Sequence, residues 1–149
     1  MNVIGVGDWE FELPEDWELK EPRSGVPYLE THDGTKGCYI KGITFGHPQS
    51  SAEVEAQYLQ EAHESSFLAD PEAKWIAVER NGAPAGQDFL STLDLYDQGS
   101  NYRVLSVVLA ATGKALQVTL HDYCCQDYKA SVRGFAPIAS SLRRARADA

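Results

Sequence analysis

Histidines and cysteines are the residues of this chain most able to bind a metal or act in catalysis. The histidines at positions 32, 47, 63 and 121 have neither the HExxH nor the HxH spacing of a zinc site. Two of them precede an aspartate, as His32-Asp33 and His121-Asp122. These two pairs would form a metal or acid–base site if the fold brought them together, but such pairs are common by chance. The spacing therefore indicates neither a metal site nor a catalytic residue.

The three cysteines, Cys38, Cys124 and Cys125, are odd in number and lack the CxxC spacing. Both properties argue against a disulfide framework. On a strand, Cys125 and His121 would project to the same face but lie about 13 Å apart, too far for a nucleophile and its base. Gly5-Val6-Gly7 lacks the third glycine and the helix of a dinucleotide loop. We therefore expect free thiols, no cofactor and no enzymatic activity.

Charge is the more informative feature. The net charge of −9 argues against nucleic acid as a partner, because binding phosphates requires a basic face. Residues 1–21 hold seven acids and one base, and residues 50–72 hold six acids and no lysine or arginine. Solvation explains most charged faces, but acidic segments of this density also attract a basic protein partner.

Eight of these acids form the candidate partner-binding set. On the predicted first helix, Glu53 and Glu55 stand in the first turn, where capping and the helix dipole account for them. Glu61 and Glu64 stand near the negative end of the dipole with no base in the helix to pair with, at a cost of a few tenths of a kcal/mol per like-charge pair. We predict that a cationic partner offsets this cost. The alternative acidic surface lies near the N-terminus, at Glu10, Glu12, Glu15 and Asp16.

Residues 101–123 organise the elements that would position these side chains. Two apolar runs, Val104–Ala111 and Ala115–Leu120, flank a break too short for a crossover, so they pair as an antiparallel hairpin. The first run is apolar on both faces, which predicts a central strand covered on both sides. We expect Val107 and Val108 to be buried, one face lying under the first helix and the other under the final helix or the N-terminal strands.

Further strands and two helices complete the predicted α+β fold, an antiparallel sheet of N-terminal strands and a four-strand meander covered by two helices. The N-terminal strands are predicted at Trp9–Leu13, from Trp17, and at Val26–Thr31 and Cys38–Phe45. The meander consists of Lys74–Arg80, an Asn81-Gly82 turn, Gln87–Tyr96 and the central hairpin.

The first helix is predicted at residues 52–67, with a capping box formed by Ser50 and Glu53. Its predicted apolar stripe is Val54, Tyr58, Leu59 and Ala62. The final helix begins at the N-cap Asp127, with a kink or restart between Gly134 and Pro137. Its predicted apolar stripe is Val132, Phe135, Ile138, Ala139 and Leu142, followed by Arg143, Arg144 and Arg146 at its C-terminal end.

The length of 149 residues predicts a single domain. No run approaches the roughly 20 apolar residues of a membrane span. The N-terminus lacks the basic and apolar regions of a signal peptide, so we expect a cytoplasmic protein that does not bind membranes.

This order of elements, with Phe11-Glu12-Leu13-Pro14-Glu15-Asp16-Trp17 near the start, resembles the PsbP-like family. The apolar strand leading to His121 and a final helix with Phe135 and Ser141-Leu142 add to the resemblance, which covers nearly the whole chain. It implies a PsbP-like α/β sandwich and a protein that binds other proteins. The superfamily includes photosystem extrinsic subunits, a small-GTPase-binding import factor, bacterial lipoproteins and adaptors of type VI secretion effectors, and the cytoplasmic bacterial branch is nearest.

Three functions remain open at this level. The first is a bacterial immunity protein that neutralises a basic secreted toxin. The second is a type VI secretion adaptor or chaperone that shields an apolar segment of an effector, which would need an exposed apolar groove and a homodimer. The third is a small enzyme or ligand-binding domain with a pocket on the sheet face.

The spacing of the candidate ligands also yields a testable prediction. We predict that the purified protein carries no stoichiometric zinc or iron, because no metal-ligand spacing is present. Elemental analysis of the protein measures this directly, and about one equivalent of either metal per chain would contradict the prediction.

Overall fold

The computed structural model describes residues 1–45 and 51–146. The strands of this part of the chain are β1 (Asn2–Val6), β2 (Trp9–Leu13), β3 (Trp17–Leu19), β4 (Tyr28–Thr31), β5 (Lys36–Thr44), β6 (Trp75–Ala85), β7 (Asp88–Asp97), β8 (Tyr102–Ala111), β9 (Lys114–Asp122) and β10 (Arg143–Arg144). The helices are α1 (Ala52–Leu68) and α2 (Tyr128–Ala139). Seven strands form the main antiparallel sheet in the order β3-β4-β5-β9-β8-β7-β6.

The predicted central hairpin lies in the middle of this sheet. A two-residue turn joins β8 to β9, with Gly113 in the left-handed region at φ 83°. Val107 and Val108 are both 0% exposed, so both faces of β8 are buried, as predicted. Val107 packs in the core with β2 and α2, whereas Val108 packs with Ala56 of α1. The sequence-based layer assignment of the two helices is therefore confirmed.

The N-terminal strands divide between two sheets, which corrects the prediction of a single sheet. β3, β4 and β5 extend the main sheet, whereas β1 and β2 form a three-stranded sheet with β10. This small sheet joins α2 over one face of the main sheet, where Trp9, Phe11 and Leu13 of β2 are buried beside Phe135. The α+β fold with antiparallel sheets is confirmed, and β2 contributes to a covering layer.

The final helix differs from the prediction at its end. Asp127 is the N-cap, and its carboxylate accepts a hydrogen bond from the backbone N–H of Ala130, as expected. The helix runs through Pro137 to Ala139 as one element, and Val132 of the predicted apolar stripe is 38% exposed. The tail arginines do not cap this helix, because Arg143–Arg144 is the strand β10 and pairs with β2.

The predicted Asn81-Gly82 turn is wrong. Asn81 and Gly82 lie inside β6, paired with Thr92 and Ser91 of β7, and the two-residue turn falls at residues 86–87. Gly86 there has a φ of 65°, and the first position of a type II′ turn requires such a positive φ. A Cβ at Gly82 would lie 2.7 Å from the ring of Phe89. The aromatic ring covers the glycine, a packing that allows a strand to continue through such a residue.

A buried ion pair connects α2 to the main sheet. Arg103 on β8 is 2% exposed and donates two hydrogen bonds to Asp94 on β7, at 3.0 and 3.1 Å. Its third nitrogen donates to the hydroxyl of Ser131 on α2 at 2.9 Å, and the hydroxyl of Tyr128 donates to Asp94. Each charged group thus has directional partners, which is the condition for burying an ion pair.

We predict that Arg103→Met lowers the free energy of unfolding by about 3–5 kcal/mol, because it leaves the Asp94 carboxylate buried without its counter-charge. The double variant Arg103→Met with Asp94→Leu should recover most of this loss, since no uncompensated charge remains. Urea unfolding followed by circular dichroism measures both effects.

Arg80→Met is the matched control for this measurement, because the Arg80 side chain is 63% exposed and its ion pair with Glu64 lies at the surface. It should cost about 1 kcal/mol or less. Equal losses from Arg103→Met and Arg80→Met would show that the buried pair does not stabilise the fold in this way.

Candidate functional site

The first helix is rotated relative to the sequence prediction. Ser51 is the N-cap, and its hydroxyl accepts a hydrogen bond from the N–H of Val54 at 3.2 Å, whereas the predicted cap Ser50 lies outside the described residues. Val54 therefore occupies the third helical position that the predicted capping box assigned to Glu53. Val54 and Tyr58 of the predicted buried stripe are 53% and 66% exposed. The buried residues of the helix are Glu55, Ala56 and Gln60.

Polar side chains attach α1 to the sheet. Both carboxylate oxygens of Glu55 accept from the backbone N–H of Gly113, at 3.1 Å, in the turn of the central hairpin. One turn further along, the amide nitrogen of Gln60 donates to the carbonyls of Ser91 at 3.2 Å and Ser106 at 3.0 Å. Glu55 is 3% exposed, so this predicted binding residue holds the helix in place and lies outside any accessible binding surface.

Of the other three candidate acids on α1, one forms an ion pair and two do not. Arg80 of β6 pairs with Glu64, with its Nε 2.7 Å from Oε1. The helix holds no base for Glu64, as the sequence indicated, but Arg80 supplies one from the sheet, so Glu64 does not need a cationic partner. Glu53 and Glu61 are exposed and make no ion pair with a described residue. These two carboxylates remain available to a partner.

The N-terminal acids are engaged to different extents. Arg143 donates to Glu10 at 2.8 Å and to Glu12 at 3.0 Å. The backbone N–H of Arg146 and the Arg143 guanidinium hold the pKa of Glu10 below its usual value. Glu15, by contrast, is 83% exposed, and its carboxylate lies 4.0 Å from the N-terminal amine. Asp16 is also exposed. The single guanidinium of Arg143 thus pairs with both Glu10 and Glu12 within the chain.

An acidic groove lies on the flank of α1 that faces β6 and β7. It has a volume of about 460 Å³, and the charged residues among its described lining are Glu53, Glu61 and Glu64 with one cation, Arg80. Gln60 also lines the groove, and its Oε1 is buried without a hydrogen-bond partner among the described residues. A buried acceptor of this kind is costly unless a donor reaches it. The groove therefore presents negative charge, whereas the Gln60 acceptor is shielded from solvent beneath it.

A larger cleft, here called the histidine cleft, opens on the opposite flank of α1, towards β5 and β9. Its volume is about 720 Å³, within the usual range for small-molecule sites. The lining residues are Arg23, Ser24, Val26, Tyr39, Lys41, Leu59, Ala62, His63, Ser66, Phe67, Gln117, Thr119 and His121. Sequence reasoning missed this site because the lining comes from four separate segments, although the alternation of Gln117, Thr119 and His121 along β9 placed three polar residues on one face.

The two histidines of this cleft are held by their Nδ1 atoms. Nδ1 of His63 lies 2.9 Å from the Ser106 hydroxyl and 3.2 Å from the amide nitrogen of Gln117. Nδ1 of His121 lies 2.5 Å from the hydroxyl of Tyr102. An amide nitrogen only donates, and a phenol is a better donor than acceptor, so both Nδ1 atoms act as acceptors. Each neutral ring therefore carries its proton on Nε2.

The His-Asp pairs do not form a joint site. His32 lies 3.6 Å from Glu18, and Asp33 accepts hydrogen bonds from Thr31 and Thr35 in its own loop. Asp122 accepts from the N–H of Cys124 at 3.3 Å. Within the described residues, no group of three or more histidines, cysteines and acids is arranged to hold a metal ion. All three cysteines are free thiols, and burial raises the pKa of Cys125, the opposite of nucleophile activation.

The two histidines of the cleft predict a pH-dependent stability. Burial, with Lys41 nearby, lowers the pKa of His63 to about 4, and burial, with His63 and Arg23 nearby, lowers that of His121 to about 4. The folded state therefore binds fewer protons than the unfolded state below pH 6.5. Stability is complete above that pH and is lost as the pH falls towards 4, by about 1–2 kcal/mol per histidine between pH 7 and pH 5.

Denaturant unfolding at a series of pH values tests this dependence. His63→Gln and His121→Gln should each flatten the pH slope, whatever their effect on stability at pH 7. His32→Gln, at an exposed position, should leave the slope unchanged. A wild-type slope retained in the variant lacking both cleft histidines would assign the pH dependence to other groups.

Comparison with known proteins gives matches in structure and none in sequence. No family model and no curated protein matches the chain. The solution structure of cyanobacterial PsbP (CyanoP) from Synechocystis sp. PCC 6803 matches with a TM-score of 0.68 and 14% identity, over 93% of this chain and 87% of that one. A crystal structure from Bacteroides thetaiotaomicron VPI-5482 matches with a TM-score of 0.58 and 12% identity.

The second match covers 94% of this chain but 46% of the Bacteroides chain, so the present chain spans less than half of that protein. Neither of the two helices among the described residues is long and apolar enough to cross a membrane. At these sequence identities the likeness shows the fold alone. The chain has the PsbP-like α+β fold that the resemblance implied.

Proposed function

We propose that the protein is a non-enzymatic binding protein that holds a basic protein partner against the outer face of α1. We further propose that it belongs to the cytoplasmic bacterial branch of PsbP-like proteins and acts as an immunity protein that neutralises a basic secreted toxin. The observation that carries the proposal is the exposure of three large apolar residues on this helix, Val54 at 53%, Tyr58 at 66% and Leu68 at 47%.

These three residues form one stripe together with an acid. Val54, Tyr58, Glu61 and Leu68 follow one another at helical spacings of four, three and seven residues, so they lie on one face. Single exposed apolar residues are common on protein surfaces, whereas several on one face are typical of an interaction site. The shared face therefore supports a protein interface. Tyrosine is also enriched where interfaces concentrate their binding energy.

The charges beside the stripe select the chemistry of the partner. Glu61 within the stripe and Glu53 beside it line the acidic groove with Glu64. A lysine or arginine of the partner that enters this groove would meet the carboxylates of Glu53 and Glu61, which make no ion pair with a described residue. The proposed partner therefore presents an apolar patch flanked by basic side chains, which fits a basic toxin.

A second candidate function is a type VI secretion adaptor, favoured by the same apolar stripe, which could shield an apolar segment of an effector. Growth assays separate the two functions. An immunity protein rescues cells that express the captured partner, whereas an adaptor raises the yield of soluble partner without protecting the cells.

We predict that Tyr58→Ala weakens binding of the captured and purified partner about tenfold, since truncation of a central aromatic residue typically costs 1–2 kcal/mol. Glu53→Lys with Glu61→Lys should weaken binding and reduce its salt dependence. Glu64 is left unchanged because its replacement would also break the ion pair with Arg80. Affinity capture with mass spectrometry identifies the partner, and calorimetry at two salt concentrations measures both effects.

Two control variants keep the prediction specific to this face. Val3→Ala removes an apolar side chain that is 56% exposed on β1, and Glu15→Lys with Asp16→Lys makes the same change of charge near the N-terminus. Both should bind as the wild type does. Loss of binding in the N-terminal pair, with none in the α1 variants, would move the interface to the N-terminal acids.

A further inference from the structure

The histidine cleft has a positive lining in a chain whose net charge is −9. Arg23 and Lys41 belong to the lining, and none of the described residues that line the cleft is an acid. Lys41 makes no ion pair with a described carboxylate. The electrostatic potential in this cavity is therefore opposite in sign to that expected from the net charge of the protein. A cationic cavity raises the local concentration of anions.

The backbone holds Arg23 in a defined place at this cleft. Arg23 and Val26 exchange two backbone hydrogen bonds, each of 3.0 Å, across a turn in which Ser24 and Gly25 have φ values of 53° and 74°. Two left-handed residues define a tight type I′ turn. The guanidinium lies over the ring of Tyr28, 4.0 Å from its centroid. The turn and the ring together restrict the position of this cation.

The guanidinium keeps most of its donors. Its contact with the chain's own acid is a single 3.4 Å approach to Glu30, whose carboxylate accepts a shorter, 2.7 Å hydrogen bond from the Tyr28 hydroxyl. The Arg23 side chain is 52% exposed. A planar guanidinium with unused N–H groups is suited to bind a carboxylate through two parallel hydrogen bonds.

The histidines add two further donors. His63 and His121 line the cleft, and their Nδ1 atoms are acceptors for neighbouring protein groups, so each ring carries a proton on Nε2. Neither Nε2 atom has a hydrogen-bond partner among the described residues. Together with Arg23 and Lys41, they give the lining four side chains with free N–H groups, beside the apolar side chains of Leu59 and Phe67.

We propose that the histidine cleft binds a small organic anion, an aromatic carboxylate. The carboxylate would be held by Arg23 and Lys41, the Nε2–H groups of His63 and His121 would donate to its polar substituents, and its ring would lie against Leu59 and Phe67. The site is separate from the proposed partner-binding face, because the cleft and the apolar stripe use different sides of α1.

Titration with 2-naphthoate, followed by NMR of the histidine side chains, tests this assignment. Naphthoate should shift the resonances of His63 and His121 saturably and leave those of His32 unchanged. The neutral amide of the same ring should bind at least about tenfold more weakly, and the cationic 2-naphthylmethylamine should not bind. Equal binding of all three probes, or no shift of His63 and His121 with naphthoate, would overturn the proposal.

Charge-removing variants test the residues themselves. Arg23→Gln and Lys41→Gln should each weaken naphthoate binding about tenfold. Arg133→Gln makes the same change in net charge at an exposed position on α2, across the main sheet from the cleft, and should bind naphthoate as the wild type does. Unchanged binding in both cleft variants, or an equal loss in Arg133→Gln, would show that the cleft does not recognise the carboxylate.

Discussion

Hydrogen bonds fix the rotation of α1 about its axis on the main sheet. This rotation determines which side chains of the helix reach the surface. Glu55, Gln60 and His63 contact the turn of the central hairpin, the carbonyls of two strands and a buried serine hydroxyl. Hydrogen bonds are directional, and a buried polar group that loses its partner is costly, so they resist rotation of the helix more strongly than apolar packing does. With this rotation set, Tyr58 must face outwards, and the two flanks of the helix become an acidic groove and a cationic cleft.

The sequence was sufficient for the elements whose signals are local. The central hairpin, the limits of α1 and the N-cap at Asp127 follow from a short break between apolar runs, from helical spacing and from capping chemistry. The rotation of α1 could not be predicted in the same way, because periodicity assigns Val54 to the core and Glu55 to the surface. In the observed arrangement the buried Glu55 carboxylate has a donor, the N–H of Gly113, which lies 58 residues away in the sequence.

The candidate site was predictable only in part, for a similar physical reason. Acid-rich segments are visible in the sequence, but their counter-ions are not. Arg143 neutralises Glu10 from 133 residues away, and Arg80 reaches Glu64 from the edge strand of the main sheet. The histidine cleft is likewise assembled from residues that are distant in sequence. At Asn81-Gly82 the local sequence predicted a turn, but the strand continues. The ring of Phe89 on the neighbouring strand packs over Gly82.

The pairing of β2 with β10 affects the order in which the protein forms during synthesis. Glu10 faces Arg143 in this pairing, so the small sheet cannot be completed until residue 144 has left the ribosome. Contacts this distant in sequence are slow to form, because closing so long a loop costs entropy before the contacts stabilise the fold. Until then, Trp9, Phe11 and Leu13 lack the neighbour strand that closes their layer. The nascent chain thus carries an unfinished apolar face until residue 144 has emerged, and chaperone binding or misassembly would act on this face.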